Sequence, residues 1–121
     1  MKIAVTTTAP NIAADADPRF GRSACLIVVD TETMHWAAYP NPGASASGGA
    51  GTVAAQFVAD QNVEAVISGD FGPNAYRALQ AAGVSMHVLG QSCTAHEAVE
   101  RFKSGGLVRL AGPTSRQPHR A

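Results

Sequence analysis

Between Asn41 and Gly51 the chain reads Asn-Pro-Gly-Ala-Ser-Ala-Ser-Gly-Gly-Ala-Gly, and an apolar-periodic helix follows at once. Small side chains let backbone amides come close to a ligand, and the free N–H groups of the following helix point the same way. The chemistry on offer is anion binding. Arg19 and Arg22 add two permanent charges, each a planar fork of N–H donors. A second glycine-bearing turn, Gly69-Asp70-Phe71-Gly72-Pro73-Asn74, leads into another helix. Arg19, Arg22, Gly48, Gly49, Ala50, Gly51, Gly69, Asp70, Gly72 and Asn74 therefore form the candidate binding set. Against it stand two plainer readings: a flexible connection for the glycines, and ion pairs with Asp15, Asp17 or Asp70 for the arginines. Phe20, between the arginines, is expected to anchor its loop in the core.

Thiol and imidazole ligation is the competing chemistry. Cys93 and His96 stand three apart at a predicted helix start, where a thiolate is favoured and both side chains can reach one metal. Two ligands make an incomplete zinc site, however, and no Cys-x-x-Cys pair exists. Cys25 falls in a predicted strand and reads as a small buried apolar residue. His35 and His87 fall in strands and His119 in the C-terminal stretch, positions read as structural or solvated.

The 121 residues are 45% hydrophobic, enough for one domain with a real core. Nine basic and nine acidic residues cancel, which gives no generic pull toward nucleic acid or an anionic membrane. The start turns polar after five residues, too soon for a signal peptide, and no apolar run is long enough to span a bilayer. A cytoplasmic protein with free thiols is the expectation.

Strands are predicted over Lys2 to Thr7, Ala24 to Asp30, Thr33 to Tyr39, Ala65 to Ile67 and Val84 to Leu89. Thr31-Glu32 reads as a two-residue hairpin connection, which makes strands two and three antiparallel. The first helix follows the glycine loop, ends near Asn62 and buries Ala50, Val53, Ala54, Phe57 and Val58. Pro73 opens the second, with Ala75, Leu79 and Ala82 inward and Gly83 as its stop. Thr94-Ala95-His96-Glu97 has the capping-box spacing of a third, with Ala95, Ala98, Val99 and Phe102 inward. From Ala111 the pattern lapses into an expected mobile tail, leaving residues 1–110 as the single domain.

Right-handed crossovers make strands three, four and five parallel, and strand one belongs at the centre beside strand four. The result is a five-stranded mixed sheet of order 3-2-1-4-5, strand two antiparallel, with helices on both faces: a ribonuclease-H-like α/β fold. Ligands in open α/β sheets bind at the carboxyl ends of the parallel strands. That edge is where Thr6 to Thr8, Gly48 to Gly51, Gly69 to Asn74 and Gly90 to Cys93 fall. Strand two begins there as well, bringing Arg19 to Arg22 and Cys25 near. Cys25 and Cys93 belong to the ends of strands three spacings apart, roughly 14 Å at about 4.8 Å each.

Met1-Lys2-Ile3-Ala4-Val5-Thr6, Arg19-Phe20-Gly21-Arg22, Asn41-Pro42, Gly48-Gly49-Ala50-Gly51 and Gly69-Asp70-Phe71-Gly72-Pro73-Asn74-Ala75 recur in this order and spacing in one family. From Met1 to about Leu107 the chain resembles the dinitrogenase iron–molybdenum cofactor biosynthesis family, its NifX-like and NifB C-terminal-type domains. The resemblance implies a ribonuclease-H-like fold and a role in binding or carrying a metal–sulfur cofactor or its precursor, without a known catalytic reaction, and cofactor-assembly proteins are the candidate partners. Nitrogenase-accessory members usually carry a histidine, a natural metal ligand, where this chain has Arg19. Arginine cannot deprotonate to coordinate a metal. The chain looks more like the small stand-alone members.

Three functions follow as expectations. The first is a non-catalytic carrier of an anionic metal–sulfur cofactor, iron–sulfur or molybdenum-containing, with Cys93 and His96 as optional ligands. The second is a regulatory module that binds a small anion. The third is a metal-dependent phosphoesterase, for which the carboxylates are sparse: Asp70 is the sole acid after strand four, and Asp15 and Asp17 lie on a loop.

Overall fold

A computed structural model describes residues 1–113. The expected mobile tail falls almost wholly on residues 114–121, with His119, and so lies outside the described residues. Six strands appear: β1 (Lys2–Thr7), β2 (Cys25–Asp30), β3 (Trp36–Pro40), β4 (Ala65–Ser68), β5 (Ser85–Val88) and β6 (Val108–Arg109). Three helices accompany them, α1 (Ala50–Asp60), α2 (Pro73–Ala81) and α3 (Ala95–Lys103), with a 3-10 turn over Pro42–Ser45. The sheet order is β3-β2-β1-β4-β5-β6. β1 is parallel to β4 and β4 to β5, while β2 runs against both β1 and β3.

The sixth strand corrects the five-strand expectation. Val108 and Arg109 pair antiparallel with Val88 and His87, and Leu110 N donates to Met86 O at 2.8 Å. Two residues are too few to show alternation, so the pairing is set by the chain folding back at Gly105 and Gly106. The β2–β3 connection is also longer than expected. Asp30 and His35 close the hairpin, leaving Thr31 to Met34 as its loop, with Met34 in the left-handed region at φ 63°. A four-residue loop fits because Asp30 Oδ1 accepts from Glu32 N at 2.9 Å and so turns the chain early.

Alternation along the strands splits the core into two layers. Ala4, Leu26, Val28, Val66 and Met86 face α1 and α2 together with Phe20 and Phe71. Ile3, Val5, Val29, Ala65 and Ile67 face α3. Helices thus cover both faces, two on one side and one on the other. In α1 the buried stripe is Ala54, Ala55 and Val58, and Val53 is exposed. The helix is rotated from the expected phase because Gly51 turns toward α2, where a Cβ would lie 3.2 Å from Ala75 Cβ. Ala82 is exposed as the C-cap of α2, since the helix ends one residue earlier. Among the described residues no helix is long and apolar enough to cross a membrane.

Candidate functional site

At the carboxyl ends of β1 and β4 the sheet presents buried hydroxyls instead of apolar groups. Thr6 Oγ1 donates to the Asp17 carbonyl at 2.6 Å, and Ser68 Oγ lies within hydrogen-bond distance of Thr6 Oγ1 and of the Asp17 and Pro18 carbonyls. These contacts strap residues 16–19 across the sheet edge. Gly69 runs so close beneath the strap that a Cβ there would lie 2.7 Å from Pro18 Cβ.

The strap fixes Asp17 as a buried carboxylate, and Arg19 closes on it. Oδ1 accepts from Arg19 N at 2.9 Å and from Nε at 3.2 Å, while Oδ2 accepts from Nη2 at 3.0 Å. The Arg19 side chain remains 67% exposed although its partner's is 3% exposed. The hydrogen bond, and then the charge, of Asp17 raises the Arg19 pKa further above its already high ordinary value. Arg19 is therefore a fixed donor whose charge is partly balanced from beneath. Of the ion-pair partners considered for it, the structure selects Asp17.

Arg22 is used differently. Its Nη1 reaches the carbonyls of Gly43, Ala44 and Ala46 at 3.3, 3.4 and 2.8 Å, capping the 3-10 turn that leads into the glycine loop. Asn41 completes the link from the other side. Its Oδ1 accepts from Gly43 N at 3.0 Å, and its Nδ2 donates to Phe20 O at 3.1 Å and Ser23 Oγ at 3.0 Å. The two loops touch backbone to backbone: a Cβ on Gly43 would lie 2.3 Å from Gly21 O and 2.6 Å from Ala50 O. No side chain fits there, so Gly43 is required by close approach.

These contacts enclose a basin of about 410 Å³. Arg19, Arg22, Gly49, Ala50, Gly51, Asp70, Gly72 and Asn74 line it, joined by Phe20, Gly21, Pro73 and Ala75. The Phe20 ring is buried and packs on Phe71 at 5.2 Å between centroids, so it anchors the loop as expected and also bounds the basin. Two helices begin on the basin. Gly49, at φ 66°, is the N-cap of α1 and Gly72 that of α2, and neither start has a side-chain cap. Gly51, by lacking a side chain, lets the two starts converge. Gly48 is exposed, does not line the basin, and has open space where a Cβ would stand. Gly69 belongs to a neighbouring cavity of about 420 Å³ on the far side of the strap, beside Leu89 and Gly90.

The profile of the family described as dinitrogenase iron-molybdenum cofactor matches residues 1–105. The chain belongs to this family. No curated protein matches it significantly. Among solved structures this family member is similar to the orange protein of Desulfovibrio gigas in its apo form, at 39% identity and a TM-score of 0.89, covering 94% of this chain and 96% of that one. It is also similar to a Thermotoga protein described provisionally as NifB and assigned to the DUF35 family, at 28% identity and a TM-score of 0.81, covering 96% and 98%.

Cys93 and His96 of this family member do not line the basin. Cys93 packs against the α3-side core, and burial pushes its thiol above the ordinary range, opposite to the thiolate expected at a helix start. The α3 start has its own cap: Thr94 Oγ1 accepts from Glu97 N at 3.1 Å and Glu97 Oε1 from Thr94 N at 2.8 Å. His96 is exposed and lies 3.9 Å from Glu100. Cys25 is half-buried, not buried, because it stands at the first position of β2 opposite Pro40. Among the described residues no group of three or more His, Cys, Asp or Glu stands together to hold a metal ion. Of the acids, Asp70 lines the basin, Asp17 is taken up by Arg19, and Asp15, just before the strap, forms an antiparallel backbone bridge with Thr94.

Sequence reasoning leaves Asn41 and Asp17 out of the binding set, although Asn41 opens the glycine stretch and Asp17 is one of three ion-pair partners considered for the arginines. The signal for Asn41 was present in Asn-Pro-Gly, a capping residue before a proline-started turn. No local signal distinguishes Asp17 from Asp15, because the difference is made by hydroxyls from strands far away in sequence.

Proposed function

We propose that this protein binds and carries an anionic metal–sulfur cofactor or its precursor, iron–sulfur or molybdenum-containing, without catalysing a reaction. The observation that carries the reading is the convergence of two uncapped helix starts, at Gly49 and Gly72, on one basin rimmed by Arg19. Helix N-termini offer N–H groups and a partial positive charge to an anion. Sulfide or oxo groups on a cluster surface are acceptors of the right sign and size for such donors. Arg19, Gly49, Ala50, Gly51, Gly72 and Asn74 act as the cradle, Asp70 orients its rim, and Arg22 shapes the glycine loop. Gly69 lets the Pro18 backbone pass close by, and Gly48, which does not line the basin, is left out of the cradle.

Family membership and the likeness to the orange protein, solved in an apo form, support a cargo-carrying role. The order of the first five strands supports calling the fold ribonuclease-H-like. Cytoplasmic cofactor-assembly proteins would supply and receive the cargo. Ligation by Cys93 and His96 remains the minor variant of this reading, with α3 as its base.

Protein reconstituted anaerobically with iron, sulfide and molybdate should gain charge-transfer absorption that survives gel filtration. Colourless protein after that treatment overturns the carrier reading. The uncapped helix starts fit a simple oxyanion as well, which favours a metal-free anion-binding module as the second reading. Stabilisation against heat by sulfate or phosphate, in protein that takes up no cluster, would select it.

A further inference from the structure

At the end of the sheet opposite β3, a histidine faces an arginine across the β5–β6 pair. The register sets His87 against Arg109 and Val88 against Val108, so Met86 and Leu110 are opposite as well, and Leu110 N donates to Met86 O. Antiparallel pairs alternate between hydrogen-bonded and non-hydrogen-bonded. His87 and Arg109 are therefore of the second kind, in which side chains stand closer. Both side chains leave the face that α3 covers: His87 lies beside Ile67 in the sheet and meets the Phe102 ring edge to face, 4.9 Å between centroids.

The His87 ring is half-buried, and one of its nitrogens is already engaged. Nε2 lies 3.0 Å from Ser85 Oγ, whose own hydroxyl donates to the Glu64 carbonyl at 3.2 Å, so Nε2 carries the proton and donates. A second proton, at Nδ1, puts a charge directly across from the Arg109 guanidinium. Like charges directly opposite on neighbouring strands are destabilising. Among the described residues no carboxylate faces the ring to balance it. β4 presents Ile67 and the Glu64 main-chain carbonyl, and α3 presents Phe102. Of the charges on α3, Glu97 is held in the capping box, Glu100 stands between His96 and Lys103, and Arg101 and Lys103 are cations themselves. Burial, and then the Arg109 charge, push the His87 pKa below its ordinary value of 6.5.

We propose that β6 is an acid-released latch: protonation of His87 detaches Val108 and Arg109 from β5 while the rest of the sheet stays paired. β6 is two residues long and Val108 is 65% exposed, so little holds it, and local opening of such an element costs far less than global unfolding. Leu110, packed on the α2-side core, is the apolar catch. Opening takes His87 away from Arg109 and restores its ordinary protonation. The closed form is thus favoured above the ordinary value of 6.5, and that advantage is lost as the pH falls below it. Release bares the β5 edge and unroofs a cavity of about 350 Å³ between that edge and α2. Tyr76, Gln80 and Met86 are its fixed wall, Arg109 and Leu110 its movable one. None of these residues lines the basin, so the latch stands apart from the cargo reading.

Amide exchange in the full chain, followed by NMR, reads the latch at Leu110, whose N–H is bonded to Met86. One titrating group changes an opening constant at most about tenfold per pH unit. Protection at Leu110, corrected for the intrinsic pH dependence of exchange, should therefore fall by about three- to tenfold between about pH 8 and about pH 5.5, while β4 amides keep theirs. His87→Gln keeps a donor for Ser85 Oγ but cannot take up the charge, and its Leu110 should show no acid response. Arg109→Gln, at an exposed position, leaves the histidine and removes its opponent, and should shrink the response. Leu110 protection that stays constant between these pH values, or falls equally in His87→Gln, overturns the proposal. So does an Arg109→Gln response as large as that of the unaltered protein, or a loss of protection that β4 shares, which would be unfolding and not release of one strand.

Discussion

Three helices begin at the same edge of the sheet, and their first N–H groups are treated in two ways. α1 and α2 start at glycines with no side-chain cap, whereas Thr94 and Glu97 close the start of α3 with a reciprocal capping box. A glycine at the N-cap forgoes roughly a few tenths of a kcal/mol relative to Ser, Asn or Asp, and it leaves the first N–H groups without a side-chain acceptor. The two uncapped starts share a basin, and the capped one is set beside Cys93 and an exposed His96. The α3 start is closed by side chains of the chain itself, whereas the starts of α1 and α2 carry no side-chain cap. Substitutions that act on one kind of start and spare the other can break this contrast.

The largest effect is expected from Gly43→Ala, which touches only the α1 side. Its Cβ would meet two backbone carbonyls, Gly21 O and Ala50 O, neither of which can swing aside. Urea unfolding should show a loss of about 3 kcal/mol, the upper range for overpacking, together with loss of cargo binding. An unchanged midpoint would mean that the two loops are not in contact.

Asn41→Ala comes next. It removes the acceptor of Gly43 N and the donor to Phe20 O and Ser23 Oγ in a buried place. Stranded buried groups make a loss of about 2 kcal/mol the expectation. Cargo binding should fall further than stability accounts for when both are measured at a temperature where the variant is fully folded. Equal losses would make Asn41 purely structural.

Arg19→Ala and Cys93→Ser set the two kinds of helix start against each other directly. Cradling predicts about tenfold weaker binding for Arg19→Ala and little change for Cys93→Ser, whose thiol burial keeps protonated. Since Arg19→Ala also uncovers the Asp17 carboxylate, the pair with Asp17→Asn is needed. If the double variant recovers full affinity, the harm came from Asp17 and not from a lost donor. A titration in which Cys93→Ser fails and Arg19→Ala binds normally would move the site to α3.

Much of this was legible beforehand, for particular reasons. β1, β2 and β4 are short apolar runs between polar turns, and the capping box at Thr94 is a local signal, so strand order and the α3 start could be read. Eight of the ten candidate binding residues line one basin because they follow β3 and β4 or precede the antiparallel β2, ends that the topology brings to one edge. What could not be read depends on partners distant in the chain. The helical phase of α1 is set by Gly51 against Ala75, and β6 exists only because β5 offers an edge. The roles of the arginines divided for the same reason. Arg19 found a carboxylate fixed by Thr6 and Ser68, and Arg22 found three carbonyls of a turn twenty-odd residues away.

The smallest effect belongs to the capped start, and it has a pH signature. The Thr94 backbone and side-chain hydrogen bonds hold the Glu97 carboxyl below its ordinary value of 4.5. A carboxyl whose folded value is depressed adds stability that is fully present above the unfolded value. That contribution is lost as pH falls through the lower folded value. Thr94→Ala should cost about 1 kcal/mol at neutral pH, by the usual worth of a threonine cap. The difference between variant and unaltered protein should narrow as pH drops below about 4, because the protonated glutamate no longer favours the box. Cluster or sulfate binding at neutral pH should be unaffected. Binding that weakens in Thr94→Ala would show that the α3 start is part of the cargo site after all, and the division between the two kinds of helix start would fail.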